Sequence, residues 1–179
     1  MAEKNTGLNK PTLYLILYLI EKLNGVLGRT HLQKLLFLTD LMSTKKFKKQ
    51  QTDLEYQKYK YGPYSEKVKE YVDYLIEKEF VEEQIFSFSY DDKKTYSRFY
   101  KKNSLRDLNE WILKNFGAEN KLLIDEVIQS YGNIGLQSLL DIVYDLQIVK
   151  NTEKCSPLDI AREISNDEEK EIDEFDLPF

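Results

Sequence analysis

Between Ser65 and Tyr100 the apolar pattern changes period, and that change restricts the chain to few architectures. Val68, Tyr71, Val72, Leu75 and Ile76 recur at three and four residues, the spacing of one face of a helix. From Val81 the spacing becomes two. Phe86, Phe88 and Tyr90 alternate with Ser87 and Ser89, and Tyr96, Arg98 and Tyr100 alternate on the return. The pattern predicts a helix running into an aromatic β-hairpin, with Asp91-Asp92-Lys93-Lys94 as its turn.

Upstream, Pro11 suits the first turn of a helix, and Leu13 to Leu23 is apolar almost all round, so this helix is expected to be deeply buried. Asn24-Gly25 ends it. A second helix is expected from Thr30, as N-cap, with Leu32, Leu35, Leu36, Leu38 and Met42 on a wide stripe. Ser43 to Thr52 reads as a polar linker, Leu54 to Tyr61 as a short extended segment, and Gly62-Pro63 as a turn. Ser65 is the expected cap of the third helix. Helix, helix, helix and hairpin is the order of a winged helix.

The fold class is therefore mainly α (α+β), with a winged-helix-like core over residues 1–103 and one β-hairpin wing. A helical extension packed on that core is expected over 104–165. Its signals are a Ser104/Asp107 capping box opening Leu105 to Phe116, a helix from Asn120 to Tyr131 closed by Gly132, and Leu136 to Leu146 with Leu139, Leu140, Val143 and Tyr144 inward. Ser156-Pro157 is expected to open a last short helix through Ile164. Residues 166–179 hold too little apolar surface to fold alone and are expected to form a disordered acidic tail.

Charge divides the chain the same way. The formal net charge is −5, but seven acids and one lysine after Ser165 put −6 in the tail, leaving the body at +1. Leu13 to Ile20 is the longest apolar run and is too short for a bilayer, so no membrane is expected. One cysteine, Cys155, allows no intrachain disulfide, and a reducing, cytoplasmic setting is the natural expectation. His31 is the single histidine, at the start of a buried-looking helix, where a capping or surface role suits it better than catalysis. One Cys and one His make no convincing zinc site, and none of the seven glycines builds a phosphate loop. No catalytic residue, metal or cofactor is expected.

Nucleic acid is the alternative to a protein partner. The expected recognition helix, Glu66 to Glu79, carries five acids against three lysines, which repels phosphate. Positive charge lies instead at Lys45, Lys46, Lys48 and Lys49, and around the wing at Lys93, Lys94 and Arg98. If these meet in space they are candidate phosphate contacts, and the chain is then a DNA-binding transcriptional regulator. Solvated loop lysines are the plainer reading.

The stretch from Gly28 to Glu83 resembles the YwgA-like proteins, relatives of the Panacea (SocA-type) antitoxin domain. The residues that carry the resemblance are Gly28, Arg29, Leu32, Gln33, Lys34 and Leu35, then Tyr61, Gly62, Pro63, Tyr64 and Ser65. The resemblance implies a compact, mostly helical, winged-helix-like domain without catalytic residues. It also implies a role in neutralising a toxin by direct binding or delivering a client to a protease. The sequence departs from the family pattern at His31.

The chain closes on Asp173-Glu174-Phe175-Asp176-Leu177-Pro178-Phe179, which resembles the C-terminal tip of bacterial single-stranded DNA-binding proteins. That resemblance implies docking of Asp173, Glu174, Asp176, Leu177, Pro178 and Phe179 into a pocket on a replication or recombination enzyme. An ordinary acidic tail is the other reading. Together these features lead to a non-catalytic interaction factor, whether antitoxin, adaptor or phage–host conflict protein.

Overall fold

The structure is a computed structural model, and it describes residues 7–88, 91–103 and 107–162. Helix α1 (Lys10–Lys22) opens as expected. Asn9 Oδ1 accepts the Thr12 N–H at 3.1 Å, and Pro11 sits in the first turn, where a missing donor costs nothing. Leu15 to Ile20 are all buried, which explains the absence of a polar face. Tyr18 spends its hydroxyl on Asp125 Oδ1 at 2.7 Å.

Helix α2 (Gly28–Phe47) is the central element, and it is longer at both ends than its sequence suggests. Thr30 is not its N-cap. Leu27 is, with no side-chain cap of its own, and its N–H donates to Nδ1 of buried His31 at 3.4 Å. His31 thus caps the helix and does not face solvent. Gly28 takes φ +64 there and lies close to the Ser97 carbonyl, a conformation and an approach that suit glycine. At the other end, Ser43 to Phe47 belong to the helix and not to a linker. Their polarity is absorbed locally: the Thr44 hydroxyl donates to the Asp40 carbonyl and the Ser43 hydroxyl to the Lys49 carbonyl. Lys48, at φ 55, ends the helix.

Strands β1 (Gln57–Tyr59) and β2 (Gly62–Tyr64) form a small antiparallel hairpin. Lys60-Tyr61 makes the turn, so Gly62-Pro63 is the start of a strand and not the turn itself. Pro63 is tolerated because its strand is an edge and needs no donor there. The other edge of β1 is covered by residues 155–157: Lys58 N–H donates to the Ser156 carbonyl at 2.9 Å, and Gln57 bridges Pro157. Ser156-Pro157 is therefore extended and caps no helix. The last helical turn begins at Ile160, with Asp159 Oδ1 accepting the Arg162 N–H at 3.0 Å. Ile164 lies outside the described residues.

Helix α3 (Lys67–Glu77) buries Val68, Tyr71, Val72 and Leu75, the stripe its spacing predicts. Its N-cap is Glu66 without a side-chain bond, so Ser65 does not cap it. The aromatic hairpin follows as β3 (Val81–Phe88) and β4 (Asp91–Lys101). The register runs from Val81↔Lys101 to Ser87↔Thr95 and then jumps to Phe88↔Asp91. Asp91 to Lys94 therefore lie within β4, in a bulge, and do not form the turn. Bulge and turn share a polar composition, which is why the two are alike in sequence. Phe86 and Tyr96 stack across the strands at 5.4 Å. Val26, between α1 and α2, exchanges two 2.9 Å backbone bonds with Phe99 of β4 and ties the hairpin to the helices.

Four helices complete the fold: α4 (Leu108–Phe116), α5 (Ala118–Tyr131), α6 (Leu136–Asp145) and α7 (Gln147–Asn151). Helix α4 begins at Leu108 after Asp107, which is left-handed and makes no capping bond; Ser104 and Leu105 lie outside the described residues. Helix α7 has no counterpart in the sequence expectation, because five residues carry too little periodicity. Trp111 of α4 stacks on Tyr14 of α1 at 3.7 Å, and one apolar cluster runs from Leu15 to Ile160. The structure is mainly helical with two small antiparallel hairpins.

Candidate functional site

The first turns of α2 carry Arg29, Gln33 and Lys34, and hairpin β1–β2 folds over them. Gln33 grips the backbone of Ser65 from both sides. Its Oε1 accepts the Ser65 N–H at 2.9 Å, and its Nε2 donates to the Ser65 carbonyl at 2.8 Å. Lys34 Nζ donates to the Pro63 carbonyl at 2.7 Å. These bonds hold the hairpin and the entry to α3 against α2. Gly62 takes φ +80, a left-handed conformation that side-chain-bearing residues rarely adopt, and it packs beside Val143 and the Lys34 stem. The Tyr144 hydroxyl of α6 donates to the Lys60 carbonyl and fixes the turn.

Gln33→Ala is expected to cost about 1–3 kcal/mol, because two buried backbone groups of Ser65 lose their partners. A urea denaturation midpoint reads this directly, and an unchanged midpoint would show the clamp to be idle.

Lys34 is 2% exposed and, among the described residues, has no ion-pair partner. Burial pushes its ammonium down to about 8. Such a cation is costly to keep and marks a candidate site. Arg29 donates to Asp73 at 2.8 Å, lies 3.8 Å from Glu83 and sits over the Phe99 ring, with its Nε buried and unpartnered. A cavity of about 170 Å³ opens among Arg29, Gln33, Lys34, Tyr59, Tyr61 and Tyr64. A larger one, about 780 Å³, adjoins it through Arg29 and Thr30 and runs to Phe88, Tyr96, Arg98 and Leu136. Tyr59 and Tyr61 are each 51% exposed, so the smaller cavity has an open aromatic rim.

The structure thus gathers Arg29, Gln33, Lys34, Tyr61, Gly62, Pro63 and Tyr64 at one place. It does not gather the basic residues. Lys45 and Lys46 are exposed in the last turn of α2, with Lys48 and Lys49 just beyond, whereas Arg98 is beside its first turn. A helix of 20 residues puts about 30 Å between those ends. Lys93 and Lys94 are exposed in the β4 bulge. Asp173, Glu174, Asp176, Leu177, Pro178 and Phe179 lie outside the described residues.

Two further groups that the sequence does not advertise hold the site in place. Asp40, fully buried on α2, accepts bonds from the Gln51 and Thr52 N–H groups and from the Thr52 and Tyr56 hydroxyls, and burial pushes its carboxyl up to about 6. Asp53 accepts the Thr12 and Tyr71 hydroxyls at 2.7 Å each and pairs with Lys67; these bonds outweigh its burial and hold its carboxyl below the usual range. No signal short of the fold would have found either. Among the described residues there is no cluster of metal-ligating side chains and no helix long and apolar enough to cross a membrane.

The described residues thus form a mostly helical domain with an aromatic, cationic cavity at the start of α2. A family model, that of the antitoxin SocA-like, Panacea domain, matches residues 32–148, well over half of the chain. The chain belongs to that family. Comparison with curated proteins and with solved structures returned no match. Arg29 and the acidic tail lie outside the matched span.

Proposed function

We propose that this protein is a non-catalytic, antitoxin-like interaction factor acting in the cytoplasm. The observation that carries the reading is the convergence of Arg29, Gln33, Lys34, Tyr61 and Tyr64 on one cavity inside a Panacea-family domain. Its client, a toxin or a protein handed on as an adaptor would, is held at this aromatic rim. Tyrosines offer large contact area at low entropic cost, and a buried cation rewards an acidic group on the client. The bridge between Val26 and Phe99 supports a winged-helix-like core, since it joins the hairpin to the α1–α2 connection. In this reading the core acts as a scaffold, because the acidic α3 is a poor fit to a DNA groove.

The acidic segment gives the protein a second contact, with a replication or recombination enzyme that accepts the tip of a single-stranded DNA-binding protein. Titration of the full chain against such a purified enzyme is expected to show saturable binding, competed by a tip peptide and abolished by deleting Leu177 to Phe179. Binding that survives the deletion removes the tail from the reading. The client contact is tested separately: toxicity relieved by co-expression of the wild-type chain is expected to return with Tyr61→Ala.

A further inference from the structure

We propose that the larger cavity, about 780 Å³ between the start of α2 and the β3–β4 hairpin, binds a small organic anion, one carboxylate-like head on an apolar aryl or acyl body. It shares only Arg29 and Thr30 with the client's aromatic rim, and the inference does not rest on the client reading.

Small residues leave the space open. Gly28 carries no side chain at the start of α2, and the residue against it across the gap is Ser97 of β4. Ser87 adds a second short side chain from β3. Val26 and Phe99, each next in sequence to a lining residue, exchange two backbone bonds and fix the spacing of the two walls. Larger side chains supply apolar surface. Phe88 and Tyr96, tilted at 5.0 Å, make an aromatic wall, and Leu27 and Leu136 add aliphatic surface. A cavity of about 300–1,000 Å³, mostly apolar and with a few placed polar groups, is the form of a small-molecule site.

Charge selects the head group. Two arginines and, among the described residues, no carboxylate line the cavity. Arg29 is engaged by Asp73 and Glu83. The Arg98 guanidinium makes no ion pair or hydrogen bond among the described residues, and its charge reaches inward far enough to oppose protonation of His31. Its planar fork of donors suits a carboxylate held by two bonds. The Thr30, Ser87 and Ser97 hydroxyls are likewise unbonded among the described residues and offer further donors. A neutral ligand would leave Arg98 unanswered, and a bare anion would leave the Phe88–Tyr96 wall in water. An amphipathic anion satisfies both.

The test is titration of the full chain with anilinonaphthalenesulfonate, a fluorescent biaryl carrying one anionic head. Saturable binding at one site per chain is expected, with amide NMR shifts centred on residues 27–30 and 96–98. Dodecanoate should displace the dye, and acetate at the same concentration should not. Arg98→Ala, at an exposed position, is expected to weaken the dye about tenfold, while the neutral congener phenylnaphthylamine changes less than about twofold. Leu136→Trp puts an indole into the cavity and should weaken both dyes. Should that variant lower the urea midpoint, Ser87→Trp fills the cavity from an exposed position on the hairpin. Absence of saturable dye binding overturns the proposal. So does binding that the filling variants leave unchanged, since the dye then sits elsewhere. An affinity unchanged in Arg98→Ala removes the anion, and displacement by acetate, or none by dodecanoate, removes the apolar body; each overturns the assigned ligand class.

Discussion

Asp40→Ala is expected to destabilise the protein by about 2–4 kcal/mol at pH 7, read as a lowered urea midpoint. Its carboxylate accepts two backbone N–H groups, two hydroxyls and, at 3.4 Å, the Gln50 amide from residues 50–56, and alanine leaves all five donors without it. Each buried donor left unmade costs about 1–3 kcal/mol. Two effects reduce the total. Some of the freed donors relax toward water, and the cost of burying the charge itself, about 3 kcal/mol for a carboxyl raised from 3.8 to about 6, disappears. The loop that leads into β1 then loses its anchor on α2, so the cavity rim should loosen as well.

The pH dependence separates this residue from its neighbours. Asp40 has a raised folded pKa, so between about pH 4 and 6 the folded state holds the proton that the unfolded state has released. Its contribution therefore rises as pH falls through that window and is lost as pH rises. His31 has the opposite sign. Burial lowers its pKa below 6.5, so its unfolded form takes up the proton first and stability falls as pH drops below 6.5. Asp53 acts lower still: its depressed carboxyl contributes above 3.8 and loses that contribution as pH falls through its folded value. Asp40→Asn keeps one acceptor oxygen and removes the titration. The difference between wild type and Asp40→Asn over pH 4–6 isolates Asp40, and a flat difference would show that its carboxyl titrates normally.

What could be read from the residues was what a local period or a local cap encodes. The α3 stripe, the apolar α1, the hairpin and the three helices after 107 all announce themselves within one or two turns of chain. The misplacements occur where the deciding contact is distant. Ser43 and Thr44 look like linker residues until their hydroxyls are seen bonded to carbonyls. Ser156-Pro157 looks like a helix start until β1 is found beside it. The candidate site shows the same limit. The family resemblance marked Gln33, Lys34, Tyr61 and Pro63 as one motif, but their roles as clamp, buried cation, rim and acceptor follow from β1–β2 closing over α2. Lys34 in isolation is an ordinary helical lysine, and only the hairpin makes it an expensive one.

That expense leads to the other large expectation: Lys34→Met should leave the protein at least as stable at pH 7, and by up to about 2 kcal/mol more so. An ammonium lowered from 10.5 to about 8 costs about 3 kcal/mol whenever it is protonated. Methionine matches its stem and fits irregular space, and the main loss is the bond to the Pro63 carbonyl, about 1–2 kcal/mol. The alkaline limb carries the signature. Between pH 8 and 10.5 the unfolded lysine keeps its proton while the folded one releases it, so the unfolded state binds more protons and wild-type stability rises with pH. Below pH 8 both states are protonated and the cost is constant. Tyr18, raised to about 12, opposes this above pH 10, but it is present in both proteins and cancels in their difference. Urea midpoints at pH 7, 8, 9 and 10 should therefore converge between wild type and Lys34→Met as pH rises, and a constant gap would place the ammonium in water. The charge of such a residue can still serve a bound group. If that is the acidic ligand of the cavity, the more stable Lys34→Met protein should be the one that no longer holds it.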